Sequence, residues 1–128
     1  MIISVGIDSA DFRRFEYLVR RVPLILPKLF LPSELSKYSL RKLCGSFVAK
    51  EAFFKAIGNP RLSPHNMAIV RNEQGRPEIV IEASLAKKLA IHSISLSLTD
   101  CNGIVTGIVV IERFTSPVVQ MSDNRSLS

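Results

Sequence analysis

The sequence predicts a compact single domain of the α+β class, with mostly antiparallel strands and one long central helix. Three observations predict it. A chain of 128 residues suits one domain with one modest core. Its first half carries apolar residues at helical spacing, and its second half carries short Val- and Ile-rich runs separated by turn residues. No internal repeat or interdomain linker interrupts either half. The domain is expected over residues 1–113, and the polar, aperiodic stretch 114–128 is expected to be a loose tail.

Residues 1–7 read as a short buried strand rich in Ile and Val. Residues 9–21 read as a helix, with Phe12, Phe15 and Leu18 on one face and Arg13, Arg14, Arg20 and Arg21 around the others. Pro23, Pro27 and Pro32 then break the chain into a loop, after which Ser33 is a candidate cap for a short helix. The longest helix is expected over 39–57, stopped by Gly58-Asn59-Pro60. Met67 to Val70 and Pro77 to Ile81 form a hairpin about the turn at Asn72 to Gly75. A short helix over 83–90, with Ser84 as candidate N-cap, leads to two strands, Ile94 to Leu98 and Ile104 to Ile111. These are joined by the turn Asp100-Cys101-Asn102-Gly103.

Composition narrows the function classes. A 47% hydrophobic content excludes a disordered chain. No apolar run approaches the roughly 18–20 residues that span a bilayer. The first residues show no basic leader or cleavage site, so a cytoplasmic protein with no membrane association is the default expectation. Cys44 and Cys101 form no C-x-x-C pair and are expected to be reduced thiols. His65 and His92 do not make zinc-ligand spacing. A net charge of +6 favours an anionic partner, whether nucleic acid, phosphates or an acidic protein. Phosphate-loop, nucleophile-elbow and dinucleotide fingerprints are absent.

Two carboxylates and a basic face are the residues that could carry chemistry. On a helical wheel at about 100° per residue, Leu40, Leu43, Cys44, Phe47 and Phe54 share a stripe with Glu51, and Lys55 lies at its edge. A carboxylate on a core-facing stripe must be paired or ligated. Glu51 is therefore either half of a structural ion pair or a metal ligand beside a cationic phosphate holder. Asp8 follows an apolar strand directly, so it is either a cap for the next helix or a second oxygen ligand. Two carboxylates from separate elements suit Mg²⁺, which keeps waters and takes phosphate oxygens. The arginines of the first helix either are simply solvated or dock an acidic helix or phosphates.

Three stretches, taken together, resemble one family. Gly6-Ile7-Asp8, with Asp11 and then Arg14-Phe15, is similar to the pattern G-I-D-x-x-E-x-x-R-F. Phe47 to Gly58 is similar to F-A-A-K-E-A-x-x-K-A-L-G, and Gly75-Arg76-Pro77 is similar to a G-K-P turn. Leu29-Phe30 and Glu34-Leu35 resemble its F-T-x-x-E-L segment. The family is that of the holo-acyl-carrier-protein synthases, within the 4′-phosphopantetheinyl transferase superfamily, and the likeness spans residues 4–112.

The resemblance implies an α+β homotrimer with active sites between protomers. It implies transfer of 4′-phosphopantetheine from coenzyme A to a serine of an acidic acyl carrier protein, in support of fatty acid biosynthesis. It makes Asp8, Glu51 and Lys55 catalytic, with Asp8 and Glu51 as Mg²⁺ ligands. It sets Lys50, Lys55, Gly58, Pro77 and Ser97 against coenzyme A, and Arg13, Arg14, Arg20 and Arg21 against the carrier protein. The base that takes the serine proton is left open.

The chain also departs from the family pattern. Leu98 stands where S-x-S-H-T has its histidine, Ser46 replaces the arginine before F-A-A-K-E-A, and Gly58-Asn59-Pro60 replaces G-T-G. Each lost charged contact to coenzyme A should cost about 1–3 kcal/mol. His92 is no substitute, because six strand residues span about 20 Å. Two further readings are a weakened or inactive relative that still binds carrier protein, and a basic nucleic-acid-binding domain. The second leaves an acidic residue on the apolar stripe unexplained.

Overall fold

The computed structural model describes residues 1–114. Its elements run β1 (Ile2–Asp11), α1 (Phe12–Arg21), α2 (Ile25–Leu29), α3 (Pro32–Lys37), α4 (Leu40–Ile57), a 3₁₀ turn (Pro64–Asn66), β2 (Met67–Arg71), β3 (Pro77–Ile81), α5 (Ala83–Lys88), β4 (Ile91–Cys101) and β5 (Ile104–Arg113). All strand pairs are antiparallel, in one sheet ordered β1-β5-β4 and one hairpin β2-β3. The α+β class and the long central helix are as expected.

α4 is the axis of the molecule. The Ser39 hydroxyl accepts from the Lys42 N–H at 3.3 Å and caps its start. Gly58 ends it in the left-handed region at φ +69°, which an L side chain resists. The helix crosses the sheet face formed by β1, β5 and β4. At Gly6 a Cβ would lie 1.9 Å from the Ala52 carbonyl oxygen, so only glycine admits this approach. At Gly107 a Cβ would come within 2.8 Å of Leu98 and 2.9 Å of Val48.

Several local expectations are corrected. β1 continues through Asp8 to Asp11, because every residue from Ile2 to Asp11 finds a partner on β5. Its outward residues are not buried: Ile3, Val5 and Ile7 are 66%, 56% and 58% exposed. Asp8 is therefore inside a strand, and Asp11 caps α1 by accepting from the Arg13 N–H at 2.9 Å. α1 buries Phe15 and Val19, whereas Leu18 is largely exposed. Pro27 sits in the first turn of α2 and Pro32 in the first turn of α3, where a missing N–H costs nothing. Ser33 and Ser84 lie inside their helices rather than at the caps, which are held by Leu31 and Glu82. α5 stops at Lys88, two residues early, and Ala90 is left-handed at φ 57°. β4 starts three residues before its predicted start and ends three after its predicted end, and its hairpin turns on Asn102 and Gly103, both at positive φ. Phe114, placed in the tail, bonds its N–H to the Ala90 carbonyl at 2.8 Å and stacks edge-on to His92. The remainder of the predicted tail, 115–128, lies outside the described residues.

The wheel of α4 also needs correcting. The expected stripe is buried at Leu43 and Cys44, but Phe47, Glu51 and Phe54 are only half-buried. Gly45, Val48, Ala49, Ala52, Phe53 and Ala56 are buried instead. α4 has neighbours on most sides, so no single stripe describes its core face. Its Lys50 is wholly enclosed. The ammonium donates to Glu34 Oε1 at 2.7 Å, Pro64 O at 2.9 Å and Leu29 O at 3.0 Å, which uses all three of its hydrogens. Glu34 also accepts from the N–H groups of Leu31 and Ile69. This pair ties α2, α3, α4 and β2 together.

Two substitutions test this frame. Gly6→Ala should lower thermal stability by at least about 1–3 kcal/mol, since backbone rather than a flexible side chain meets the new methyl. Lys50→Met should cost about 3–5 kcal/mol, because it strands a buried carboxylate at Glu34. Denaturant titration of both variants checks these outcomes, and a loss under about 0.5 kcal/mol in either would contradict the packing described.

Candidate functional site

Alternation along β1 turns Gly6 and Asp8 toward α4. The gap left by Gly6 lets the last two turns of α4 reach Asp8. There the Lys55 ammonium donates to Asp8 Oδ1 at 3.0 Å and to the Ile7 carbonyl at 3.1 Å. Glu51 lies one turn earlier on the same helix face as Lys55. Its carboxyl is pushed above its ordinary 4.5 by burial first and by the Asp8 charge second, with Lys55 opposing. Two carboxylates close enough to repel, with one ammonium between elements, form a site that lacks positive charge.

The structure thus brings Asp8 together with Glu51 and Lys55, which lie more than 40 residues further along the sequence. Gly58 follows Lys55 on the exposed end of α4, beside a shallow cavity lined by Phe54, Asn59, Pro60 and Leu62. Ser97 is exposed on β4, with β5 between it and β1, so it stands about 10 Å or more from Asp8. Pro77 begins β3 in the other sheet. Within one chain these two do not join the Asp8 cluster. Lys50 is corrected outright: only 2% exposed, with its donors spent inside the protein, it cannot meet a ligand as expected. Among the described residues, Glu34 and Lys50 are the only charged residues that are buried, and each is the other's partner.

The basic face of α1 divides. Arg20 pairs with Glu16 at 3.3 Å, and Arg21 donates to the Tyr17 hydroxyl at 2.8 Å while lying over its ring. Arg13 and Arg14 make no ion pair among the described residues. Arg14 borders a mostly apolar groove of about 340 Å³ whose walls include Ser9, Phe15, Leu18, Ile25 and Phe47. The groove starts one residue from Asp8. Arg13 faces the other side, beside Phe12 and Arg41.

The departures are equally concrete. Ser46 is buried and donates to the Lys42 carbonyl at 3.1 Å. Leu98 lies on the core face of β4 against the glycines of α4 and β5. Neither offers a charge. Cys44 is buried and its thiol is pushed up to about 11, chiefly by burial, which makes it a packing residue. Both cysteines are free thiols, as expected.

Known proteins share the sequence pattern and the fold of this chain. Residues 4–109 match the family model described as the 4′-phosphopantetheinyl transferase superfamily. A holo-[acyl-carrier-protein] synthase of Clavibacter michiganensis is 36% identical over 116 residues, covering 88% of this chain and 97% of its own. The synthase of Moorella thermoacetica is 31% identical over 122 residues, covering 87% and 94%. Among solved structures, the Helicobacter pylori synthase in complex with coenzyme A superposes with a TM-score of 0.77 at 28% identity, covering 84% of this chain and 99% of that one. The Neisseria meningitidis synthase does so with a TM-score of 0.77 at 27% identity, covering 86% and 98%. The chain belongs to the 4′-phosphopantetheinyl transferase superfamily. Within it, the chain is an enzyme of the holo-[acyl-carrier-protein] synthase family.

The raised Glu51 carboxyl sets a pH dependence. A group that binds its proton more tightly when folded contributes stability at low pH, and that contribution is lost as pH rises from the ordinary glutamate range through the raised value. With a chelator present, Glu51→Gln should therefore flatten the fall in melting temperature across that window and gain on the wild type above it. Parallel melting-temperature curves for the two proteins would show that Glu51 makes no such contribution.

Proposed function

We propose that the chain transfers 4′-phosphopantetheine from coenzyme A to a serine of an acidic apo acyl carrier protein, releasing 3′,5′-ADP. The observation that carries this reading is the junction of Asp8, Glu51 and Lys55 at the end of α4. The serine oxygen forms a bond to the β-phosphorus, and the anhydride bond to the α-phosphate oxygen breaks. The leaving 3′,5′-ADP takes the electron pair, and the serine proton is lost.

The residues fit a divalent cation. The repelling carboxylates of Asp8 and Glu51 supply hard oxygen donors, and no third His, Cys, Asp or Glu joins them among the described residues. Such a site suits Mg²⁺, which shares its coordination with water and phosphate. Asp8 and Glu51 would hold it, and when bound it supplies charge neutralisation at the diphosphate. Lys55, 56% exposed, is free to swing from Asp8 to a phosphate oxygen. Gly58, Pro77 and Ser97 are kept as coenzyme A contacts. Gly58 lies at the Asp8 end of α4, whereas Pro77 and Ser97 lie away from it, which fits a site completed by a neighbouring protomer.

Exposed Ile3, Val5, Ile7, Ile104 and Ile108 lie on the outer face of the large sheet. An apolar face of this kind supports assembly into a homotrimer. Arg14 and the groove beside it suit an acidic helix with apolar anchors, with Arg13, Arg20 and Arg21 adding field strength. A cytoplasmic role in fatty acid biosynthesis follows from that partner. No helix is long and apolar enough to cross a membrane. The exposed strand faces carry aliphatic residues rather than base-stacking aromatics, which favours protein over nucleic acid as the partner. The uncharged Ser46 and Leu98 favour a second reading, a catalytically weakened relative that retains the carrier surface.

Intact-mass spectrometry of apo carrier protein with coenzyme A and Mg²⁺ separates the two. The expected result is a gain of one phosphopantetheine group, lost with a chelator and slowed at least about tenfold by Glu51→Gln. No gain, from folded protein with a carrier proven competent in parallel, would establish the weakened relative. Arg14→Glu should raise the KM for carrier protein more than that for coenzyme A, with a steeper salt dependence in the wild type. Equal effects on both substrates would remove Arg14 from the docking surface.

A further inference from the structure

One wall of the groove beside Arg14 is a segment too short to hold itself in place. α2 spans five residues, each at least partly exposed, and Pro27 within it has no N–H to donate. Ile25 and Leu29, one helical turn apart, give the groove its α2 side, and Phe15 and Leu18 give it the α1 side. The shape of the groove therefore depends on what fixes α2.

The last carbonyls of a helix have no partner inside it. In α2 these include Pro27 and Leu29, and each receives a side-chain donor from elsewhere in the chain. The Lys50 ammonium donates to the Leu29 carbonyl at 3.0 Å. His65 Nε2 donates to the Pro27 carbonyl, 38 residues earlier, at 2.7 Å. A carbonyl only accepts, so Nε2 carries its hydrogen here. The imidazole is aimed by its own turn. Ser63 Oγ accepts from the His65 N–H at 3.2 Å, and Asn66 Oδ1 accepts from the Ser63 N–H at 2.7 Å. This reciprocal cap makes the 3₁₀ turn a rigid mount, and Lys50 ties that mount down through the Pro64 carbonyl at 2.9 Å. His65 is exposed and buries little, so core packing does not account for its bond. What the bond fixes is the position of Ile25 and Leu29.

We infer that His65 is a positioning residue for carrier docking, acting through α2 by holding Ile25 and Leu29 as a fixed wall of the groove. The inference rests on the proposed role of the groove as the carrier surface, whereas the hold on α2 does not. A partner that docks on a loose wall must order that wall as it binds, and a wall fixed beforehand removes this cost. Coenzyme A, whose proposed contacts lie on other segments, gains nothing from the bond.

Two measurements on the full chain test this: hydrogen exchange of the free protein, and calorimetric binding of apo acyl carrier protein and, separately, of coenzyme A. In His65→Ala the Leu26 and Phe30 amides, bonded to the Pro23 and Leu26 carbonyls at 3.2 and 2.9 Å, should exchange roughly fivefold faster. Affinity for the carrier should fall roughly fivefold, the size of one net hydrogen bond, with none lost for coenzyme A. His65→Gln, whose amide N–H reaches about as far from the backbone, should restore both the protection and the affinity. Unchanged exchange in α2, equal losses for the two ligands, or no rescue by glutamine would overturn the role of His65. Faster exchange with carrier affinity kept, while Arg14→Glu weakens it, would also overturn that role and leave the docking surface standing. Carrier affinity that neither His65→Ala nor Arg14→Glu weakens would sink the groove as the docking surface, and this inference with it.

Discussion

The contact on which the rest depends is the close approach of α4 to the sheet at Gly6. A missing side chain there brings helix backbone against strand backbone. That contact puts Lys55 within hydrogen-bonding distance of Asp8 and places Glu51 where it feels the Asp8 charge. Gly107 does the same one strand over, beneath Val48. Glycine is unfavourable inside strands, where it adds backbone entropy and buries nothing. Its two appearances under one helix mark where close contact outweighs propensity.

The buried Lys50–Glu34 pair constrains the opposite side of the same helix. Ion pairs of this kind contribute little net stability, because desolvation offsets the attraction. What the pair does is geometric. Its hydrogen bonds end in α2, α3, the 3₁₀ turn and β2, so the short helices and the second sheet are registered against α4. The next residue, Glu51, points toward the cluster with Asp8. One helix therefore holds a structural charge on one side and a chemical charge on the other, in adjacent positions.

Charge along α4 is distributed unevenly. Glu51 of α4 meets the Asp8 carboxylate near its C-terminal end, and Arg41, paired with Asp100, and Lys42 stand at its start. The helix thus separates the two regions by about 15 Å, the rise of the ten residues from Gly45 to Lys55.

The sequence by itself determined the local elements. Val- and Ile-rich runs, the Asn102-Gly103 turn and the Gly58 stop act within a few residues and can be read there. The G-I-D and K-E-A-x-x-K stretches likewise marked Asp8, Glu51 and Lys55. Tertiary structure decided the length of β1, because its polar half is a strand only through pairing with β5. It decided the fate of Lys50, whose burial depends on a carboxylate 16 residues away and on two carbonyls in other segments. The buried face of α4 was also beyond the reach of periodicity, since a wheel identifies a core stripe only when solvent covers the remaining faces. Arg71 reads in sequence as one more hairpin arginine, and only the packing of β2 across Gly45 brings it to Lys42. The physical reason is common to all four: burial and charge pairing depend on neighbours in space, and sequence spacing encodes only neighbours along the chain.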